Sequence, residues 1–241
     1  MDETVESAYL GGELDLFALA TNWKAYVKAE IGEYLYGIVL EVGAGIGGTT
    51  VALHDGTACR WVCLEPDPQQ ASRLRTSLTQ HDDTSAANVV VGSLRTFAER
   101  PFFDCILYLD VLEHIEDDQS QIEMAAKLIR PGGYIVILSP AHQWLFSEFD
   151  ERIGHLRRYN KQSLRSLRPP DWFERKLVYL DSVGVLLSLG NVWLLRRALP
   201  SLSQIALWDR LCVPMSRFAD HILRGNFGKS VLAVWQKSAS A

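Results

Sequence analysis

Residues 39–50 read Val-Leu-Glu-Val-Gly-Ala-Gly-Ile-Gly-Gly-Thr-Thr, an apolar run that ends in a glycine-rich segment. The apolar run predicts a buried strand. The glycines predict a tight loop that opens a helix, because glycine turns easily and lets a ligand reach main-chain amides. Gly43, Gly45 and Gly48 fit the GxGxxG spacing of dinucleotide-binding loops. The stretch therefore predicts an α/β fold with a ligand at the end of its first strand.

Short β-type runs alternate with helical stretches on both sides of this loop. That alternation is typical of a doubly wound α/β fold, a mostly parallel sheet covered by helices on both faces. The predicted strands are residues 38–42, 61–65, 88–91, 104–109, 134–138, 173–180 and 230–236. The predicted helices are residues 48–54, 68–78 and 119–128, preceded by one or two amphipathic helices in 16–35. We read Arg130-Pro-Gly-Gly133 as a helix breaker followed by a turn.

The unusually apolar stretch from Val183 to Arg224 sets the domain organisation. A doubly wound sheet seldom needs so much helical material before its last strand, so we interpret it as an insertion. The predicted division is N-terminal helices (1–36), an α/β core that binds the ligand (37–182), a helical cap (183–226), and the last strand of the core with a tail (227–241).

Composition narrows the class of protein. The 241 residues carry a net charge of −5, so nothing attracts the whole chain to a polyanion and nucleic acid is disfavoured as a partner. The four cysteines lack CxxC spacing, which predicts free, mostly buried thiols and no metal site. The first residues do not resemble a signal peptide, and the run 183–195 is too short to span a bilayer. We therefore expect a soluble cytoplasmic protein.

Two carboxylates at predicted strand ends bear on the ligand. Glu41 lies two residues before the first glycine, where it suits a cationic ligand better than a pyrophosphate. Glu65 ends the second predicted strand, and a carboxylate there can accept both hydroxyls of a ribose. Glu65 fits NAD equally well, so the pair indicates an adenosine ligand and favours a cationic one.

The chain resembles the class I S-adenosylmethionine-dependent methyltransferases over about residues 36–140. The resemblance rests on the order and spacing of several motifs. These are Glu41-Val-Gly-Ala-Gly-Ile-Gly47, Leu64-Glu-Pro66, Gly92-Ser-Leu94, Leu109-Asp-Val-Leu-Glu-His114 and Leu128-Ile-Arg-Pro-Gly-Gly133. It implies a seven-stranded sheet whose last strand is antiparallel, and S-adenosyl-L-methionine as the cofactor.

The resemblance also implies roles for single residues. The methionine end of the cofactor would lie on Glu41, Gly43, Ala44 and Gly45. Glu65 would take the ribose hydroxyls, and Pro66 would lie against the adenine. Ser93 and Leu94 would lie at the adenine edge, although many members of the family have an aspartate in place of this serine. Asp110, Val111 and His114 would line the cofactor just past the fourth strand.

The acceptor side is less defined. The segment after the fourth strand lacks the Asn/Asp-Pro-Pro-Tyr/Phe motif of enzymes that methylate amide or exocyclic amino nitrogens. Residues 154–159, Gly-His-Leu-Arg-Arg-Tyr, resemble the segment after the fifth strand in small-molecule methyltransferases, including quinone-biosynthesis enzymes. We take His155, Arg158 and Tyr159 as catalytic candidates. If the segment is helical, His155 and Tyr159 share one face, and Arg157 or Arg158 neutralises an anionic acceptor.

Several alternatives stay open at this point. The favoured function is methylation of a small organic molecule, on oxygen more than on nitrogen or carbon. An NAD-dependent oxidoreductase and a cofactor-binding protein without turnover are the alternatives. The 183–224 segment is a cap, an apolar substrate pocket, a peripheral membrane contact or a dimer surface, so the chain is a monomer or a homodimer.

Overall fold

A computed structural model describes residues 14–81, 87–190 and 201–239. Its sheet has seven strands: β1 (Gly37–Val42), β2 (Ala58–Glu65), β3 (Ala87–Val91), β4 (Phe103–Leu109), β5 (Ile129–Pro140), β6 (Trp172–Leu180) and β7 (Ser230–Lys237). Their order across the sheet is β3-β2-β1-β4-β5-β7-β6. β7 is antiparallel to both of its neighbours, and the other pairs are parallel. The predicted fold class, including the antiparallel last strand, is confirmed.

Helices cover both faces of this sheet. They are α1 (Thr21–Ile31), α2 (Gly48–Leu53), α3 (Pro68–Thr79), α4 (Asp118–Leu128), α5 (Glu148–Arg152), α6 (Lys161–Ser166), α7 (Ser182–Gly190), α8 (Leu202–Leu207) and α9 (Val213–Ile222). A π-helical turn, Trp208–Cys212, joins α8 to α9. Local sequence fixes the start of α3, because the Asp67 carboxylate accepts from the amides of Gln69 and Gln70 and Pro68 occupies the first turn.

The core forms two layers, one on each face of the sheet. Successive residues of the central strands point to opposite layers: Val39 and Cys105 pack into one, Leu40 and Ile106 into the other. All four side chains are fully buried. The continuous apolar run of β1 therefore has a physical reason, since a central strand covered on both faces has no side exposed to water.

One prediction about local structure is wrong, and one condition set by the sequence analysis is not met. Residues 130–133 do not form a turn before the fifth strand, because β5 begins at Ile129, which pairs with Phe103 across an irregularity in register. Residues 155–160 are not helical. Tyr159 instead forms a bridge with Ala141 at the end of β5, which holds the segment extended. The cysteines are free as predicted, but Cys59 is exposed.

Helices α7 to α9 follow β6 and precede β7, at the position of the predicted insertion. Residues 191–200 of that insertion, with Trp193, Arg196 and Arg197, lie outside the described part of the chain. Buried Asp220 on α9 accepts hydrogen bonds from the amides of Asp181 and Ser182. No helix among the described residues is long and apolar enough to cross a membrane. The proposed domain boundaries stay a prediction.

Candidate active site

A cavity of about 430 Å³ lies at the carboxyl ends of β1, β2, β4 and β5. Ligands bind at this edge in doubly wound sheets, because the loops that leave neighbouring strands diverge there. The cavity is lined by most of the predicted cofactor residues: Glu41, Gly43, Ala44, Gly45, Glu65, Pro66, Asp110, Val111 and His114. His155 and Arg158 line the same cavity. The structure therefore brings the glycine loop and the segment after β5 together.

The glycine loop takes backbone conformations that L side chains rarely adopt. Gly43 and Gly45 have φ values of +67° and +56°. A Cβ on Gly43 would lie 2.7 Å from Val111 Cγ2, so no side chain fits there. A Cβ on Gly45 would point to Leu14 at 3.5 Å, on the cavity wall. The first glycine is needed for packing, whereas the second keeps the cavity open.

Glu41 is a buried carboxylate at the end of β1. Its Oε2 accepts hydrogen bonds from Thr50 Oγ1 at 2.7 Å and from Trp61 Nε1 at 2.9 Å. Burial raises the pKa of Glu41 to about 7, although these two hydrogen bonds oppose the shift. A cation bound in the cavity would restore the ionised form of Glu41.

Glu65 closes the loop from the other side. Its Oε2 accepts from the Gly45 amide at 2.8 Å, and its Oε1 accepts from the Asp67 amide at 3.0 Å. Burial raises the pKa of Glu65. The carboxylate is thus fixed by the backbone on both sides, and it faces the cavity next to Pro66.

The segment after β4 forms the floor of the cavity. Asp110 has a φ of +55°, and its amide donates to the Leu138 carbonyl at 2.8 Å. This sharp bend turns the chain away from the sheet and leads into a short 3₁₀ turn, Leu112–His114. The Nδ1 of His114 lies 3.2 Å from the Gly154 carbonyl, so the segments after β4 and β5 are joined at the cavity wall.

Asp150 organises the segment after β5. Its carboxylate is fully buried and accepts from Arg158 Nε and Nη2, both at 2.9 Å, while His155 Nδ1 lies 3.0 Å away. Burial opposes ionisation, but the hydrogen bonds from His155 and Arg158 hold the pKa of Asp150 below its usual range. The ionised Asp150 therefore orients His155 and Arg158, two of the three predicted catalytic side chains.

Comparisons with known proteins agree with this geometry. A family model described as a methyltransferase domain matches residues 40–135. The norajmaline N-methyltransferase of Rauvolfia serpentina is 29% identical over 107 residues, which cover 44% of this chain and 36% of that protein. The ubiquinone biosynthesis O-methyltransferase of Pectobacterium carotovorum is 28% identical over 100 residues, 40% of either chain. The chain thus matches well under half the length of these curated relatives.

The fold similarity extends over most of the chain. One similar structure is the crystal structure of the N-methyltransferase NodS from Bradyrhizobium japonicum in complex with S-adenosyl-L-homocysteine. The structural alignment covers 88% of this chain and 84% of the NodS chain. The TM-score is 0.56 and the sequence identity 15%. Residues 40–135 are thus similar in sequence to a methyltransferase domain. The sheet order supports this assignment, since β7 inserts between β5 and β6 instead of following β6.

Two predicted adenine contacts are not on the wall of the cavity. Neither Ser93 nor Leu94 lines it. Leu94 is buried in the core on one face of the sheet, and Ser93 precedes a 3₁₀ turn in extended conformation. Gln70, on α3, lines the cavity instead, close to the glycine loop.

Tyr159 and the two arginines also differ from prediction. Tyr159 is buried and does not line the cavity, because its hydroxyl donates to Asp118 at 2.6 Å. Arg157 is paired with the same Asp118 carboxylate at 2.8 Å. Arg158 is held by Asp150. The predicted shared face of His155 and Tyr159 is absent, and neither arginine is free to neutralise an anionic acceptor.

Glu113 is a buried acid that the sequence prediction missed. It is fully buried, accepts from Ser139 Oγ at 3.1 Å, and lies 3.7 Å from His155 Nε2. Burial, and then the charge of Asp110, raise the pKa of Glu113 well above its usual value. His155 therefore lies between the ionised carboxylate of Asp150 and the carboxyl group of Glu113, which favours its own protonated form.

Two lysines on the cavity wall were also missed. Lys24 on α1 donates to the Ala18 carbonyl at 2.6 Å and lies beside Gly48 at the start of α2. Lys229 directly precedes β7. Its side chain could have been predicted to reach the site, because the first residues of an antiparallel strand lie at the carboxyl edge of its parallel neighbours.

Proposed function

We propose that this protein transfers a methyl group from S-adenosyl-L-methionine to a small organic acceptor that carries an acidic oxygen. The observation that carries the proposal is the single cavity in which the glycine loop, Glu41 and Glu65 meet Asp110, His155 and Lys229. We assign the side formed by the glycine loop, Glu41 and Glu65 to an adenosine ligand with a cationic tail, and the side formed by His155 and Lys229 to the acceptor.

The residues of the first end fit the cofactor. Glu65 would accept the ribose hydroxyls, and the absence of a side chain at Gly45 would let the ligand lie next to the backbone, beside Leu14 and Gln70. Glu41 and Asp110 offer negative charge to the ammonium and sulfonium groups. Lys24, beside Gly48, offers positive charge to the carboxylate of the methionine moiety. The cofactor itself supplies an electrophilic methyl group.

The acceptor end is aromatic on one side. Phe17 packs edge-on against Trp208 at 6.3 Å and lies 6.5 Å from Phe149. All three rings line the cavity. A partly apolar acceptor would displace water from these rings. Contact with the rings would also hold the acceptor in line with the methyl group for the displacement.

Lys229 gives this end a cation that has no directly bonded partner among the described side chains. Among the described residues, no side-chain hydrogen bond or ion pair engages its ammonium, which lies 5.1 Å from the centre of the Trp208 ring. Lysine is seldom enclosed without a partner, so a ligand is the natural partner. Burial lowers the pKa of Lys229, and the negative charge of Asp181 partly offsets this shift. An anionic oxygen would restore the charged lysine.

This arrangement supports oxygen over nitrogen as the methylated atom. An amine arrives as an ammonium ion at neutral pH, and it would meet Lys229 in the same cavity. A phenol or a carboxylic acid avoids that repulsion. His155, oriented by Asp150, would position the acceptor. The similarity to an O-methyltransferase is compatible with this proposal. The similarity to an N-methyltransferase corresponds to the alternative, a nitrogen acceptor.

The pH dependence of cofactor binding tests the role of Glu41. Below pH 7 its carboxyl group is mostly protonated and neutral, so a cationic ligand loses its partner as the pH falls. We expect the dissociation constant of S-adenosyl-L-homocysteine, measured by calorimetry, to be about tenfold larger at pH 6 than at pH 8. Because Asp110, with a pKa raised to about 6, titrates nearby, Glu41→Gln is the control. An equally steep pH profile in that variant would contradict the assignment.

A matched pair of acceptors tests Lys229. We expect 3,4-dihydroxybenzoate to be methylated with a kcat/KM at least tenfold higher than its neutral amide, about 1.4 kcal/mol in the transition state. Lys229→Met should remove most of this preference and leave the affinity for S-adenosyl-L-homocysteine unchanged. Equal rates with both acceptors in the wild-type protein would refute the anionic acceptor. An undiminished preference in Lys229→Met would place the anion elsewhere.

A further inference from the structure

Helix α9 has its polarity reversed relative to an ordinary surface helix. The side that faces the core carries Ser216 and Asp220, both buried. Ser216 Oγ donates to Asp181 Oδ1 at 2.7 Å, and Asp220 accepts from Tyr26 OH at 3.0 Å. A surface helix usually buries its apolar stripe and exposes its polar one. In α9, polar anchors hold the helix to the core.

Except for the buried Val213, the large apolar residues of this helix and Leu211 of the preceding π-helical turn face outward. Leu211, Met215, Phe218 and Ile222 follow a spacing of four, three and four residues, so they share one stripe. They are 56%, 60%, 73% and 63% exposed, and Leu207, one turn earlier, is 49% exposed. A contiguous exposed stripe of this kind marks an interaction surface, since single exposed apolar residues are common but aligned ones are not.

The charges around the stripe identify the kind of partner. Between residues 201 and 224, the exposed charged side chains are Arg210, Arg217 and Arg224, while the acids Asp209 and Asp220 are buried. The exposed charge of this segment is therefore positive, whereas the whole chain has a net charge of −5. Arg217 and Arg224 also line a groove between α9 and β6. Glu30, on the same groove, is already paired with Lys176 at 2.7 Å.

We infer that the outward stripe of α8 and α9 docks on an anionic lipid bilayer, with Phe218 and Met215 inserted and the flanking arginines at the phosphate headgroups. An apolar stripe beside basic residues is the pattern of helices that lie in the membrane interface. A second copy of this chain is a poorer occupant, because two such surfaces would bring their arginines together. Trp208, which lines the methyltransferase cavity, belongs to the same helical segment and would place that cavity close to the bilayer.

Vesicle flotation tests this inference without reference to activity. We expect the full chain to bind vesicles of 30% phosphatidylglycerol and 70% phosphatidylcholine at least tenfold more tightly than pure phosphatidylcholine, and to be released by 0.5 M salt. Phe218→Ser with Met215→Ser should weaken binding at least tenfold. Arg217→Gln with Arg224→Gln should remove the preference for anionic vesicles. Thermal unfolding should change little in the first pair, because both side chains are exposed.

Phe173→Ser provides the matched control, since Phe173 is 53% exposed on β6, away from the stripe. Its binding to vesicles should equal that of the wild-type chain. Absence of binding to the anionic vesicles, or equal loss in the Phe173 and Phe218 variants, would overturn the inference. A lipid-free dimer that Phe218→Ser dissociates, without vesicle binding by either form, would assign the stripe to a second copy and would also overturn it.

Discussion

Gly45→Val is expected to abolish binding of S-adenosyl-L-homocysteine, with at least a hundredfold loss of affinity, while the far-UV circular dichroism stays near native. The position of the new side chain is the reason. A Cβ on Gly45 lies 3.5 Å from Leu14, on the wall of the cavity, so the two methyl groups of valine occupy the ligand's space. The φ of +56° adds strain.

Gly56→Val is the control for the effect of backbone strain. Gly56 has a similar positive φ of +78°, but a Cβ there meets nothing within 4 Å. This variant should show a comparable loss of stability and an unchanged affinity for the ligand. If Gly45→Val retained affinity within a few-fold of the wild type, or if Gly56→Val lost as much, the glycine loop would not be the cofactor site.

Arg158→Ala is expected to lower the free energy of unfolding by about 3 to 5 kcal/mol, because it leaves the buried Asp150 carboxylate without its bidentate partner. For a chain of this size that corresponds to a fall in Tm of about 6 to 20 °C. Urea unfolding at pH 7 measures the change. Turnover should also fall, since Asp150 orients His155.

The control for this prediction is Arg165→Ala. Arg165 also makes a two-pronged contact, with Glu174, but half of its side chain is exposed. Exposed ion pairs contribute at most about 1 kcal/mol. Equal losses of stability in the two variants would show that Asp150 does not depend on Arg158, and the segment after β5 would then have another organising centre.

The sheet and the glycine loop were predictable from the sequence for a physical reason. Central strands covered on both faces are continuous apolar runs, as in residues 39–42, and glycines with positive φ are visible as glycines. Glu41 and Glu65 were predictable as site residues because they end such strands, and both line the cavity.

The segment after β5 was not predictable in the same way. Its density of polar residues indicates a site, but it does not reveal which charges pair with one another. Arg158 and Arg157 are paired with Asp150 and Asp118, the latter from a helix 39 residues away along the chain. Lys229 is 119 residues from Asp110, and only the antiparallel placement of β7 brings it to the same cavity.

The central claim is that this cavity binds S-adenosylmethionine and not a nicotinamide dinucleotide. Calorimetric titration of the wild-type chain with S-adenosyl-L-homocysteine, NAD and NADP at pH 8 tests it most directly. We expect saturable binding of S-adenosyl-L-homocysteine alone, and a stabilisation of about 2.7 kcal/mol at 100 times its dissociation constant. Binding of NAD or NADP with no binding of S-adenosyl-L-homocysteine would contradict the account.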